Sequence, residues 1–455
     1  MSERTYANTF DCRPELIAKW LSFGYHIAST RSGGEHRCVL APKRFWELPR
    51  IAILSSRMPA DHTGRTCWLR AFKAVVDANA GRAVGWLTAP HTACDRWLLG
   101  AMETRDQPLW RCDAGDVRNA EPFRGAAGTT NTVAAPIFFP PKYGGPAAKS
   151  ERGRARDADL VDLADELYVL HVRRRGRVSA LLQQLAADGS WPEGLRGWYC
   201  DDPGLVPIKL REQLPLQLQA WWPEERSCGA NVPAVPRDCS QAYAGGDEQR
   251  AASDVKSFTA CRDFFCEPTL SHWTRAPGEC WPDETPAQAV RRQLAAPEQP
   301  PPSPLDALLR IVTQRRIVAS AHLNRSRTPV VCFTAHLPGE FSNLRCFRPH
   351  LRRWDFEPYG ISIRRAWLER FGTKPVIYGT NELWTQLDAA RRPYFQTTEG
   401  GMRGGVDWQG EFEWRCCGDV SLSELPSEAA RLFVPHLAQA QVLARCSPWP
   451  VMYFN

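Results

Sequence analysis

Between residues 46 and 222 short apolar runs alternate with stretches of helical period. The first run, Arg50-Ile51-Ala52-Ile53-Leu54, ends in the small hydroxyl pair Ser55 and Ser56, followed by Arg57. Trp68, Leu69, Phe72, Val75 and Val76 then recur at the spacing of one helix face. A second run, Ala83-Val84-Gly85-Trp86-Leu87-Thr88, leads to a second helix over 95–99, and residues 108–112 supply a third strand. Residues 113–155, rich in Gly, Ala, Pro and Thr, break the rhythm and read as a long inserted loop. It resumes with a helix over 157–163, a strand over 167–172, a helix over 176–185 and a last strand near 204–207. Alternation at this pace predicts a parallel sheet covered by helices.

The pattern then changes. Residues 223–267 carry Pro, Gly, Ser and Asp without periodicity and read as a linker or cap. From 268 onward short strands dominate, at 269–274, 330–334, 359–363, 375–378, 411–416 and 432–434. One helix is well signalled over 303–312, with Ser303 at the N-cap and Pro304 at the first helical position. The expected organisation is an extension over 1–45, an α/β domain over 46–222, the linker, and an α+β domain over 268–455.

Composition narrows the partners. A chain of 455 residues, 43% hydrophobic, suits two globular domains, and 37 Pro with 32 Gly imply long loops. The net charge of +7 rests on 57 basic residues, mostly Arg, whose planar forks suit phosphate. A nucleic acid or nucleotide is therefore favoured over a membrane, and no apolar run has the length of a span. The N-terminus lacks the basic-then-apolar layout of a signal peptide, so a cytoplasmic protein with reduced thiols is expected. Cys228, Cys239, Cys261, Cys266 and Cys280 are irregularly spaced, and no metal is expected.

Three polar motifs lie among strand-forming residues: Ser271-His272-Trp273-Thr274-Arg275, Val330-Val331-Cys332-Phe333-Thr334, and the stretch from Trp408 through Glu411 and Glu413 to Arg415. An interior tolerates His, Glu and Arg only when they are paired, so the pattern is that of an enzyme's cleft. Strand period two places Glu411, Glu413 and Arg415 on one face. A carboxylate there can stabilise an oxocarbenium-like cation and take an acceptor's proton. Against this stand a structural Glu413–Arg415 ion pair and a satisfied interior His272. Cys332 is either a core thiol or a nucleophile attacking a nitrile or amide carbon without NAD. Between the motifs, Arg345, Arg348, Arg352 and Arg353 interleave with Phe347, Trp354 and Phe356, a pattern suited to phosphates and unpaired bases. Arg315, Arg316, Arg325 and Arg327 extend it, and a target base would be flipped out or single-stranded. A solvated helix face with its aromatics in the core is the alternative.

Two resemblances sharpen these readings. Ser55, Ser56 and Arg57, then Thr88, Thr92 and Asp95, and the Arg156-Asp157 and Ala164-Asp165 pairs resemble the Rossmann-like superfamily of cytokinin-activating phosphoribohydrolases and SLOG sensor domains. The resemblance implies a nucleotide held by Ser55, Ser56, Arg57, Thr88 and Asp95, although the family's phosphate-turn glycines are mostly missing in Thr88-Ala89-Pro90-His91-Thr92 and Arg173-Arg174-Arg175-Gly176. A nucleotide-free scaffold is the other reading. The order His-x-Thr, Cys-Phe-Thr and Glu-x-Glu-Trp-Arg resembles the ADP-ribosyltransferase fold in its DarT-like branch. That implies a cleft for NAD, with His272 on the ribose, Thr274 or Arg275 on phosphate, and Glu413 catalytic. Thr334, Glu411 and Arg415 complete the set, Cys332 sits where the family needs no thiol, and the family's middle tyrosine falls to Tyr359 or Tyr378.

The expected fold is thus an α/β Rossmann-like parallel sheet followed by an α+β ADP-ribosyltransferase-like domain. The expected function is a base-modifying enzyme acting on nucleic acid, DNA before RNA, in a bacterial modification or phage-defence system and alongside its other proteins. Two alternatives stand beside it: chemistry through Cys332 on an already modified base, and a non-catalytic nucleotide sensor.

Overall fold

A computed structural model describes residues 14–32, 35–114, 135–139, 149–221, 255–278, 280–321, 324–348, 353–398 and 409–454. The chain forms two compact units, Met1–Asn231 with Thr285–Pro300, and Val232–Glu284 with Pro301–Asn455.

The first unit is built on a nine-stranded sheet of β1 (Tyr25–Ser32), β2 (Glu35–Pro42), β3 (Arg50–Ser55), β4 (Gly85–Thr88), β5 (Leu109–Ala114), β6 (Ala135–Phe139), β7 (Glu166–His171), β8 (Arg196–Cys200) and β9 (Leu218–Trp221), in the order β1-β2-β6-β5-β4-β3-β7-β8-β9. From β6 to β9 every pairing is parallel, whereas β1 and β2 join antiparallel at one edge. The expected parallel α/β sheet is present. Strand order reverses between β3 and β7, where open sheets of this kind form a crevice. Strands buried on both faces read as continuous apolar runs, and β3 and β7 do so. The helix His62–Ala78 starts where Asp61 accepts from the Gly64 amide at 2.7 Å, and it buries Trp68, Leu69, Phe72, Val75 and Val76. Trp68 stacks on Phe72 with ring centroids 5.3 Å apart.

Several expectations are corrected here. Residues 25–42 are no extension: Leu40 of β2 pairs with Phe138 of β6, so the hairpin completes the sheet. Pro136 to Phe139, expected inside a loop, form β6 along β5. Residues 204–207 form a turn, and the last strands are β8 and β9. Residues 115–134, 140–148 and 222–254, which hold most of the expected insertion and linker, lie outside the described residues. The helix Pro286–Ala295 packs within the first unit, although its sequence lies inside the second half. Gly100 makes this contact possible, because a Cβ there would stand 2.6 Å from Val290 Cβ. Arg291 pairs with Glu103, and Arg70 meets Glu298 at 2.8 Å.

The second unit holds β10 (Val255–Ser257), β11 (Thr269–Trp273), β12 (Arg316–Ile317), β13 (Val330–Thr334), β14 (Cys346–Arg348), β15 (Arg353–Asp355), β16 (Gly360–Arg364), β17 (Lys374–Pro375), β18 (Ile377–Gly379), β19 (Phe395–Thr397), β20 (Glu413–Cys417), β21 (Val420–Ser421), β22 (Ala430–Val434) and β23 (Val451–Tyr453). Eight of them form one mixed sheet, β10-β23-β22-β16-β11-β13-β20-β17, and β14 with β15 forms a separate two-stranded ribbon. One face of the sheet carries Leu270, Val331, Phe333, Ile361, Ile363 and Leu432 into a core. The helix Pro304–Gln314 covers that core with Leu308, Ile311 and Val312, and Ser303 caps it as expected. On the opposite face Phe433 and Met452 are covered by the 3-10 segment Phe258–Cys266, while the β13–β20 half stays polar. Gly360 permits the close packing of β16, since a Cβ there would lie 2.2 Å from the His272 carbonyl oxygen.

Candidate active site

The large sheet opens at its centre. β11 pairs with β16 over five residues and β13 with β20 over five, yet β11 and β13 meet only at Ser271 and Thr334. Beyond that pair the strands part, and the backbone groups that would have bonded need other partners. His272 enters the gap. Its Nδ1 lies 2.8 Å from the Cys332 carbonyl oxygen and its ring sits edge-on to Phe333 at 5.8 Å. A carbonyl only accepts, so Nδ1 carries the hydrogen and Nε2 keeps a lone pair. Burial pushes the imidazole down to about 4, with Arg275 adding to the shift and the Cys332 carbonyl opposing it. At neutral pH His272 is uncharged.

Beside the gap, register places Cys332 opposite Arg415 and Thr334 opposite Glu413, so these four side chains share the polar face. Arg415 is buried and clamps Glu413 with both arms, Nε to Oε1 at 2.8 Å and Nη2 to Oε2 at 3.0 Å. Its remaining hydrogens go to the Pro393 and Phe395 carbonyls and to Gln396 Oε1. Cys332 reaches solvent, but burial and then the neighbouring Glu413 carboxylate push its thiol up to about 12, with Arg415 opposing. A thiol held protonated is a poor nucleophile.

Glu411 departs from expectation. Gln409–Glu411 is a 3-10 turn, Phe412 takes φ 44°, and β20 begins only at Glu413. The two carboxylates therefore do not share a strand face. Thr334 Oγ1 donates to the Glu411 carbonyl at 2.6 Å, and Ala335 N donates to the Phe412 carbonyl at 3.1 Å. His336, which the motif reading passed over, adds a third tie through Nε2 to the Gly410 carbonyl at 2.7 Å, with Nδ1 on Glu340 at 2.8 Å. The Glu411 carboxylate meets Arg348 Nη2 at 2.8 Å. Burial, then the Glu413 and Asp355 carboxylates, raise it to about 7 against the pull of Arg348.

Other expected residues divide. Tyr378 stands by Glu413, its phenol pushed up to about 12 by burial and then by that carboxylate. Tyr359 instead receives a hydrogen bond from Gln439 Nε2 at 3.1 Å, so of the two candidates the cleft holds Tyr378. Thr274 is buried and donates to the Pro304 carbonyl at 2.9 Å, so its hydroxyl hydrogen is committed within the fold. Arg275 is exposed and acts electrostatically on both His272 and Cys332.

The arginine-aromatic stretch forms the β14–β15 ribbon, and its two faces differ. Phe347 and Trp354 pair across the strands and stay exposed at 47% and 43%, with the Arg345 guanidinium 4.4 Å from the Trp354 ring. Arg348 turns inward, buried between Asp355 at 3.3 Å and Glu411, so it is not a nucleic-acid contact. Arg352 lies outside the described residues, and only the backbone of Arg353 is described, opposite Arg348.

In the first unit the expected nucleotide-binding residues gather at the C-terminal ends of the strands, bonded to one another and to neighbouring residues of the unit. Ser55 Oγ donates to the Ser56 carbonyl at 2.7 Å and accepts from Trp68 Nε1 at 2.9 Å. Ser56 Oγ accepts from the Arg173 amide at 3.1 Å, and the Arg57 carbonyl accepts from His171 Nδ1 at 2.8 Å. Thr88 Oγ1 donates to Asp95 Oδ1 at 3.1 Å, and Arg111 holds the other oxygen at 2.7 Å. Of the set, only the exposed Arg57 side chain is uncommitted to these bonds.

No family model matches this chain, and no curated protein matches it. Among solved structures, DNA processing protein A of Helicobacter pylori, described for its single-stranded DNA binding mode, is similar at 10% identity and a TM-score of 0.29, over 43% of this chain and 90% of its own. A likeness that weak leaves the function to be argued from the geometry above. Among the described residues no helix is long and apolar enough to cross a membrane, and no cluster suited to a metal ion occurs.

Proposed function

We propose that the second unit is a nucleic-acid base-modifying enzyme, with DNA the favoured substrate, whose cleft is the gap between β11 and β13. The observation that carries this reading is the parted sheet with a clamped carboxyl beside it: Glu413 is held by Arg415 on the polar face, while His272 enters the gap from the side of Phe333. The exposed Phe347–Trp354 ribbon supports a nucleic-acid partner, since aromatic faces stack unpaired bases at about 1–3 kcal/mol each.

ADP-ribosyl transfer from NAD is the reaction the cleft suits best, within an ADP-ribosyltransferase-like domain of a modification or defence system. NAD supplies an ADP-ribosyl group on a cationic leaving group. The donor set suits it in part: a neutral His272 with a free Nε2 lone pair fits a ribose hydroxyl, and Arg275 fits a phosphate, whereas Thr274 and Tyr359 are committed elsewhere. The Glu413 carboxyl, held in place by Arg415, is the group set beside the positive charge that develops, and Tyr378 stands by it. The raised Cys332 thiol speaks against chemistry through sulfur.

The test incubates the full chain with single- and double-stranded DNA and RNA, with and without NAD, and weighs the digested nucleosides. An NAD-dependent gain of one ADP-ribose, abolished by Glu413→Gln, is expected. No adduct under any of these conditions sinks the transferase reading.

A further inference from the structure

The polar face of the second unit has two ends, with the cleft between them. At the Thr334 end of β13 stands the ribbon with its exposed Phe347 and Trp354, tied in where Arg348 meets Glu411. At the Val330 end two other segments meet, one before β13 and one before β19. Buried Asn324 joins them. Its Nδ2 donates to the Thr328 carbonyl at 3.1 Å and to the Pro393 carbonyl at 3.2 Å, and its Oδ1 accepts from the Ser326 amide at 3.1 Å. Arg415 donates to the carbonyls of Pro393 and Phe395, so the second segment sits against the clamp at the middle of the face.

Four arginines belong to this junction. Arg325, Arg327 and Arg391 are exposed, and Arg392 is half-buried. The Arg325 and Arg392 guanidinium carbons lie 4.6 and 5.3 Å from the centre of one ring, that of Trp384, which packs on Phe395 at 5.4 Å. The two cations are thus held no more than about 10 Å apart, the screening length at 0.1 M salt. Their bonds go to neutral acceptors: Arg325 Nη1 to Asn381 Oδ1 at 2.6 Å and Arg392 Nε to the Leu387 carbonyl at 3.1 Å. Of the carboxylates on these segments, Asp388 accepts from the Arg391 amide at 2.8 Å and Glu382 from the Thr380 hydroxyl. Among the described residues neither forms an ion pair with any of the four arginines. Like charges gathered around one ring repel, and neutral acceptors offset little of that. A shared anion offsets it, and each guanidinium keeps donors for one. As a latch between the segments, one arginine on Trp384 would serve; Arg327 and Arg391 enter the bonding only through their amides.

We propose that Arg325, Arg327, Arg391 and Arg392, gathered around Trp384, are a phosphate grip that holds a single nucleic-acid strand on the far side of the cleft from the ribbon. This rests on nucleic acid being the substrate. The five residues of β13 separate the two ends by roughly 15 Å at ~3.3 Å per residue. That is a run of about four or five nucleotides at ~3.4 Å per phosphate. The strand's unpaired bases stack on Phe347 and Trp354, its target base lies at the cleft, and its backbone runs onto the grip. A mononucleotide is too short to reach both ends, and a duplex offers the ribbon no unpaired base.

The experiment follows the fluorescence anisotropy of a labelled oligothymidylate of about fifteen residues on the full chain, without NAD, from about 50 to 200 mM KCl. Four phosphate contacts give log Kd a slope of about 3 against log salt, at ~0.7 per contact on a single strand. Arg327→Gly combined with Arg391→Gln should lower that slope by about 1.4. Phe347→Ala should weaken binding with the slope unchanged, since stacking releases no counterions. Arg327 takes φ 57°, which glycine adopts freely, so the thermal midpoint of Arg327→Gly should hold or rise and its binding loss cannot come from unfolding. A slope that the arginine substitutions leave unchanged overturns the grip, as does a chain that binds no oligothymidylate at the lowest salt. A duplex bound as tightly as the single strand overturns the single-strand assignment. The readout needs no turnover, so a nucleoside assay without product leaves the grip standing, and a refuted grip leaves the cleft's chemistry to that assay.

Discussion

Removing Arg415 tests whether the centre of the second unit is built as described. Its guanidinium is 4% exposed and bonds Glu413, two carbonyls and Gln396. Arg415→Ala leaves a half-buried carboxylate, two carbonyls and an amide without their donor. Breaking a buried ion pair from one side costs about 3–5 kcal/mol, against about 5–15 kcal/mol for the whole stability of a domain. With a urea dependence of about 2–3 kcal/mol per molar, the midpoint should fall by roughly 1–2 M.

Hydrogen exchange of peptides covering 330–334 and 413–417 reads this unit separately from the first. Removing both partners is the sharper arm. Arg415→Met with Glu413→Leu leaves no orphaned charge, and such replacements are often neutral or stabilising. The double variant should therefore unfold at higher urea than Arg415→Ala alone. If Arg415→Ala moves the midpoint by less than about 0.3 M, below the ~10% extrapolation error of such data, or if the two substitutions simply add, the clamp is not what holds the polar face and the reasoning fails.

Three more outcomes follow from the same geometry. His272 stays neutral in the folded protein down to about 4, whereas an unfolded histidine binds a proton near 6.5, so its contribution to stability is full above 6.5 and is lost as pH falls toward 4; a His272→Gln variant should show a flatter urea midpoint across that window, and an equal slope counts against a buried neutral ring. Cys332 reaches solvent with its thiol raised to about 12, so iodoacetamide at pH 8 should label it at least about 100-fold more slowly than the exposed Cys266 and Cys417, as its thiolate fraction requires; mass mapping that finds Cys332 first would reverse the assignment. Gly360→Ala drives a Cβ against the His272 carbonyl 2.2 Å away and should cost about 1–3 kcal/mol, whereas Gly372→Ala, at positive φ with open space around it, should cost about 1 kcal/mol; equal thermal shifts for the two would argue that β16 is not packed this closely.

The parts of the fold legible in the sequence are those decided within a few residues. Apolar runs bounded by turn residues gave β3, β7 and β13 away, and Ser303-Pro304 announced its helix. Pairings chosen over long distances were not legible. Pro136 to Phe139, flanked by prolines, looks like a loop until β5 and β2 take it from both sides. The helix Pro286–Ala295 carries a readable capping box at Thr285 and Gln288, but its stripe of Ala289, Val290 and Leu294 suits many partners. Gly100, far away in the chain, decides where it packs.

The same division runs through the candidate site. The residue types of a cleft were visible in His272, Cys332, Glu413 and Arg415, but strand phase sorted them. Tyr378 and Tyr359 are equal in composition, and their placement on different elements sends one to Glu413 and the other to Gln439. Period two would have made Glu411 and Glu413 neighbours on one face with similar surroundings. A left-handed Phe412 breaks that period within one residue. The break turns Glu411 toward Arg348 and leaves Glu413 to Arg415, so two side chains of identical chemistry meet opposite electrostatic surroundings. That single backbone departure gives the two carboxyls different partners, and Phe412→Val, which installs a residue comfortable only in regular strand, should restore the alternation and bring both to one face.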